Sequence, residues 1–131
     1  MRDTETSHFW LGNFRNERRV SEYLEEIYDE DDEDREHTPL SQFARDQGET
    51  WYDHDFMEHG FKKNSKSVED LVNGYSYFEQ WSAELARRAA EACLTKINML
   101  LFMSQDQIDK PRSVEGEGYK LHYMGTIKYR I

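Results

Sequence analysis

The densest group of chemically capable side chains is Asp53-His54-Asp55-x-x-Glu58-His59. Carboxylates and imidazoles are the usual ligands of zinc and other divalent ions, so the segment is a candidate centre for a metal-dependent enzyme. Its spacing settles nothing by itself. In a strand Asp53 and Asp55 share a face; in a helix Asp55 pairs with Glu58 or His59. Neither arrangement reproduces an established ligand pattern such as HExxH. The simpler reading is a polar segment that satisfies local backbone groups or meets a partner.

The second group is six consecutive acids, Asp29, Glu30, Asp31, Asp32, Glu33 and Asp34. Calcium loops space their ligands and need a glycine for the sharp turn. DEDDED has neither, so it attracts cations only diffusely. Gly116-Glu-Gly118 is embedded in acids that would repel phosphate, and no G-x-S-x-G, P-loop or paired CxxC occurs. The lone Cys93 falls among alanines at a helical position and is expected to be a buried small hydrophobe. No catalytic set and no cofactor is therefore expected.

Charge distribution points the same way. The chain of 131 residues carries a formal net charge of −10. Residues 1–60 hold 18 Asp and Glu against 6 Lys and Arg, whereas residues 61–131 hold 9 against 11. Phosphate binding needs a basic surface, so nucleic acid is a poor match. A basic protein is the natural complement of such an acidic half. The candidate contact residues are Glu25, Glu26, the six acids at 29–34, and Asp53, Asp55 and Glu58. The start of the chain is polar, with no apolar secretion segment, and the longest apolar run, 97–103, is too short to span a membrane. The expected location is the cytoplasm, with no membrane partner.

The elements that must position these groups follow from hydrophobic period. HFWLGNF (8–14) predicts a buried strand. Asn16 can cap a helix whose face is Val20, Tyr23, Leu24, Ile27 and Tyr28. That helix is expected to stop near Tyr28, because six carboxylates at a helix C-terminus oppose its dipole. Thr38-Pro39 predicts another helix start and Gly48 its end. Residues 51–56 suggest an extended segment, with Trp51, like Trp10 and Trp81, assigned to the core. Ser67 and Ser76 each open a capping box, the second starting a long helix with Phe78, Trp81, Leu85, Ala89 and Ala92 on one face to about Leu94. Residues 97–103 predict a buried strand and 105–117 a loop. Tyr119, Leu121, Tyr123, Ile127, Tyr129 and Ile131 alternate with polar residues as a strand or hairpin, with Gly125 marking a bend, bulge or turn. The sum is an α+β fold in one domain (1–131): a mainly antiparallel sheet, strands near 8–14, 51–56, 97–103 and 119–130, packed with three to four helices.

HFWLGNF, DEDDED, DQGETWYDHDF (46–56) and VEGEGYKLHYMG (114–125) together resemble the immunity protein 22 family of bacterial polymorphic toxin systems. The resemblance runs from about His8 to Tyr129, and the DQGETWYDHDF segment is its most specific part. It implies a cytoplasmic protein that protects its producer by binding a cognate toxin in interbacterial competition. Such toxins are commonly nucleases, hence basic at their clefts, and an acidic inhibitor complements them. The resemblance brings no catalytic residue with it. Two alternatives stay open from the residues: the metal-dependent enzyme, and an acidic adaptor or chaperone-type binding module.

Overall fold

A computed structural model describes residues 3–27 and 38–131. Within them nine elements follow one another: β1 (Thr4–Phe14), α1 (Glu17–Leu24), α2 (Gln42–Asp46), β2 (Glu58–Phe61), α3 (Val68–Val72), α4 (Phe78–Glu91), β3 (Met99–Ser104), β4 (Val114–Gly116) and β5 (Tyr119–Arg130). Single 3-10 turns occupy His54–Phe56 and Gln105–Gln107. The strands form one antiparallel sheet in the order β2-β3-β1-β5-β4, so the α+β expectation holds.

The sheet is covered on both faces, which is why β1 and β3 are continuous apolar runs rather than alternating ones. Successive residues of a strand point to opposite faces. Trp10 and Phe14 of β1 and Met99, Leu101 and Met103 of β3 pack under α1, α2 and the buried Tyr52, Met57 and Ile108. Phe9 and Leu11, with Leu100 and Phe102, face Val68, Leu71 and Val72 of α3 and Trp81, Leu85 and Ala89 of α4. Phe9 stacks on Phe102 with ring centroids 5.0 Å apart and planes 9° from parallel.

β5 serves both cores because it changes face. Phe9 pairs with Gly125 but Trp10 pairs with Tyr123, leaving Met124 as an extra residue. Gly125 adopts φ +94, which the bulge requires and glycine supplies without strain. The expected single alternating face therefore divides. Tyr119, Leu121 and Tyr123 pack on the α1–α2 side, whereas Met124, Ile127 and Tyr129 pack on the α3–α4 side. Ile131 lies past the strand and is exposed.

Caps decide the helix boundaries. Asn16 accepts from the Arg19 N–H at 2.8 Å and Ser67 from the Asp70 N–H at 3.0 Å, as their positions in the sequence predict. Ser41, not Thr38, caps α2, and Gly48 at φ +77 follows its end. α1 ends at Leu24, a turn earlier than expected, and Ile27 is half exposed; Tyr28 lies outside the described residues. The Ser76 capping box does not form. Glu58 takes the Ser76 N–H, the Ser76 carbonyl accepts from Trp81 Nε1, and the helix starts after Tyr77 in the left-handed region at φ 59. At the other end α4 stops at Glu91, so Ala92 and Cys93 are exposed rather than buried. The 105–117 segment contains β4, which closes a hairpin on β5 through Glu117-Gly118.

Candidate partner-binding surface

Residues 51–56 do not form the expected strand; the strand of this region is β2, at 58–61. Two buried side chains, Tyr52 and Met57, anchor the segment to the α1–α2 core. The Tyr52 hydroxyl shares a hydrogen bond with Ser41 Oγ at 3.1 Å, and burial raises its pKa to about 12. The Asp53 N–H donates to Gln107 Oε1 at 2.7 Å, and the Asp53 carboxylate accepts from the Asp55 N–H at 3.2 Å, starting a 3-10 turn. With its ends fixed inward, the middle of the segment is thrown outward. Trp51 is 62% exposed and Phe56 72% exposed. Trp51 is thus a surface residue, not a core one, while Trp10 and Trp81 are fully buried.

The five-residue group at 53–59 does not converge. Glu58 pairs with Phe102 and His59 with Leu101, so the two point to opposite sides of the sheet. His59 turns toward His54, ring centroids 6.3 Å apart, and both line a groove of about 510 Å³ with Arg18, Glu22, Glu25 and Glu26. Glu26 Oε1 lies 3.7 Å from His54 Nδ1. Partial burial of the His59 ring, then the facing His54, hold its pKa below the ordinary value. Among the described residues no group of three or more His, Cys, Asp or Glu is arranged to hold a metal ion.

On the far side, Glu58 enters a second cleft of about 430 Å³ between the 3-10 turn, the start of α4 and the ends of β1, β3 and β5. Its Oε2 accepts from the Ser76 N–H at 3.2 Å. Phe56, Tyr77 and Tyr129 supply aromatic walls, and Glu5 and Asp106 supply further carboxylates.

Of the acids expected to form one patch, Glu25 and Glu26 therefore lie in the histidine groove, Glu58 in the aromatic cleft, and Asp53 and Asp55 in the turn between. The six acids at 29–34 lie outside the described residues. Sequence reasoning missed the exposed Ile27, Phe56 and Tyr77, and the carboxylates Glu5 and Asp106, which only tertiary folding brings beside Glu58. A signal for Phe56 was present: its segment has no period that would bury every aromatic in it.

The described surface is that of an α+β protein whose exposed aromatics Phe56 and Tyr77 stand beside the carboxylates Glu5, Glu58 and Asp106. The family model for Immunity protein 22 matches residues 8–130, and the chain belongs to that family. No curated protein and no solved structure matches it. Membership implies a toxin as partner. Among the described residues no helix is long and apolar enough to cross a membrane.

Proposed function

We propose that this protein neutralises a cognate bacterial toxin by direct, stoichiometric binding, as a non-enzymatic inhibitor acting in the cytoplasm. Its membership of the Immunity protein 22 family carries the reading. Charge and exposure support the mode of binding. The first 60 residues hold the whole acidic excess of the chain, and Trp51 and Phe56 project from the same half. A basic nuclease is the partner such a surface complements, since a cleft built for phosphodiesters attracts carboxylates placed to imitate them. In this arrangement the acids at 29–34, with Glu25 and Glu26, steer the encounter. Asp53, Asp55 and Glu58 pair with toxin Arg or Lys, and the exposed aromatics slow dissociation.

Co-expression with the toxin domain encoded beside the gene tests this directly. The expected result is survival of the host, lost when an unrelated immunity protein is substituted, and full inhibition of the purified toxin at a one-to-one ratio. Cell death with both proteins soluble and expressed would overturn the pairing.

A further inference from the structure

The cleft around Glu58 combines a shape, a charge and an aromatic lining. It is bounded by Glu5, Glu58, Asp106, Phe56, Tyr77 and Tyr129, and among the described residues no Lys, Arg or His lines it. Phe56 and Tyr77 are 72% and 50% exposed, an arrangement that leaves apolar ring surface in water. Tyr77 is fixed by the αL backbone ahead of α4 and packs on Tyr129 with ring centroids 5.9 Å apart. Tyr129 is in turn pinned by a 2.8 Å hydrogen bond with Ser7. Burial raises the Tyr129 pKa, and the charges of Glu5 and Glu58 add to the rise, so both carboxylates act on the interior of the cleft.

We propose that this cleft is the seat of an arginine side chain from the protein's partner, its guanidinium paired with Glu58 and Asp106 and its flat face against the exposed rings. The proposal rests on the toxin-binding reading and names the group the toxin would insert. Several occupants fail on chemistry. A phosphate or carboxylate would be repelled by Glu58 and Asp106. A bare apolar side chain would strip water from those acids without replacing their hydrogen bonds. Among the described residues the carboxylates are not arranged to converge on a metal ion. A guanidinium satisfies both wall types, because it donates to carboxylates in a planar fork and stacks on aromatic faces. Lysine, a compact and strongly hydrated charge, uses the aromatic walls less well.

The test uses the full chain and two short probes, Gly-Arg-Gly amide and Gly-citrulline-Gly amide, which differ mainly in charge. Titration followed by amide NMR shifts is expected to show saturable changes at Phe56, Tyr77 and Asp106 with the arginine peptide. A dissociation constant in the millimolar range, ~1–10 mM, is expected for one side chain. The citrulline peptide should bind at least about tenfold more weakly. Glu58→Gln with Asp106→Asn should remove the difference between the probes, and the new amide at position 58 keeps an oxygen for the Ser76 N–H. Absent shifts, equal binding of both probes, or shifts outside the cleft would overturn the proposal. Host survival in the co-expression assay is read separately. Rescue without peptide binding strikes the cleft alone, and peptide binding without rescue strikes the toxin reading alone.

Discussion

The side-chain amide of Asn98 pairs with the backbone of Phe14 as if it were one more residue of β3. Asn98 Nδ2 donates to the Phe14 carbonyl at 2.8 Å, and the Phe14 N–H donates to Asn98 Oδ1 at 2.8 Å. The Asn98 N–H itself donates to the Gly12 carbonyl at 2.9 Å. The polar interruption of an otherwise apolar run is thus a clasp that secures the end of the central strand.

Asn98→Ala leaves the Phe14 N–H and carbonyl partly buried without their side-chain partner. The expected cost is about 2–3 kcal/mol, since a missing partner exposes the desolvation penalty of what remains. Urea denaturation would show the midpoint falling with little change in slope; an unchanged midpoint would mean that water replaces the amide at no cost.

At the bulge, Arg88 Nη1 donates to the carbonyls of Met124 and Thr126 at 3.0 and 2.8 Å, straddling Gly125. A Cβ on Gly125 would sit 2.8 Å from that nitrogen and on a backbone at φ +94. Gly125→Ala is expected to cost about 1–3 kcal/mol, from backbone strain plus displacement of Arg88. A thermal melt within experimental error of the parent would refute the strain argument.

Acid should loosen the same corner. Glu84 accepts from Arg87 Nε and Nη2 and from Arg88 Nε, which holds its pKa at about 2 against the usual 4.5. A carboxyl depressed in the folded state contributes stability that is complete above 4.5 and is lost as pH falls toward 2. The Glu84→Gln variant should therefore lose less stability over that interval than the parent, and the effect should be small because Glu84 is solvent-accessible. Parallel pH profiles for the two proteins would exclude the linkage.

Binding kinetics should separate acids from aromatics. Converting the acids at 29–34 to amides is expected to slow association with a basic toxin about tenfold at low salt and to flatten its salt dependence, with dissociation little changed. Trp51→Ala and Phe56→Ala should do the reverse, raising dissociation about tenfold each while altering fold stability by no more than about 0.5 kcal/mol. Stopped-flow association and dissociation rates, with urea melts alongside, would decide. Aromatic variants that bind as the parent does would remove both residues from the contact.

These predictions follow the division between what was legible in the sequence and what was not. β1 and β3 were readable because two-sided burial writes itself as continuous apolar runs, and Asn16, Ser67 and Gly125 announced their own local roles. The 51–56 segment was not, since two inward anchors five residues apart match neither a strand nor a helix period. The Ser76 box failed because a distant carboxylate, Glu58, competes for the same N–H, and no local rule can see that competitor. Gly125 marks the position of a bend, bulge or turn in the sequence, but which of these it is, and its effect on facing, require the register of Phe9 and Trp10. The candidate surface divided for the same reason: Glu58 and His59, adjacent in sequence, are separated by the pleat of β2, while Glu5 and Asp106 reach Glu58 only through the tertiary fold.

The place of β1 in the middle of the sheet has a consequence for biosynthesis. Its neighbours on either side, β3 and β5, are made long after it, and the Ser7–Tyr129 hydrogen bond joins residues 122 positions apart. As the ribosome extrudes the chain, this central strand must wait unpaired until residues 99–104 and then 119–130 have emerged. Such non-local pairing folds slowly. Protection therefore cannot be gained strand by strand: a nascent chain halted before β5 leaves its aromatic strand to chaperones or to aggregation.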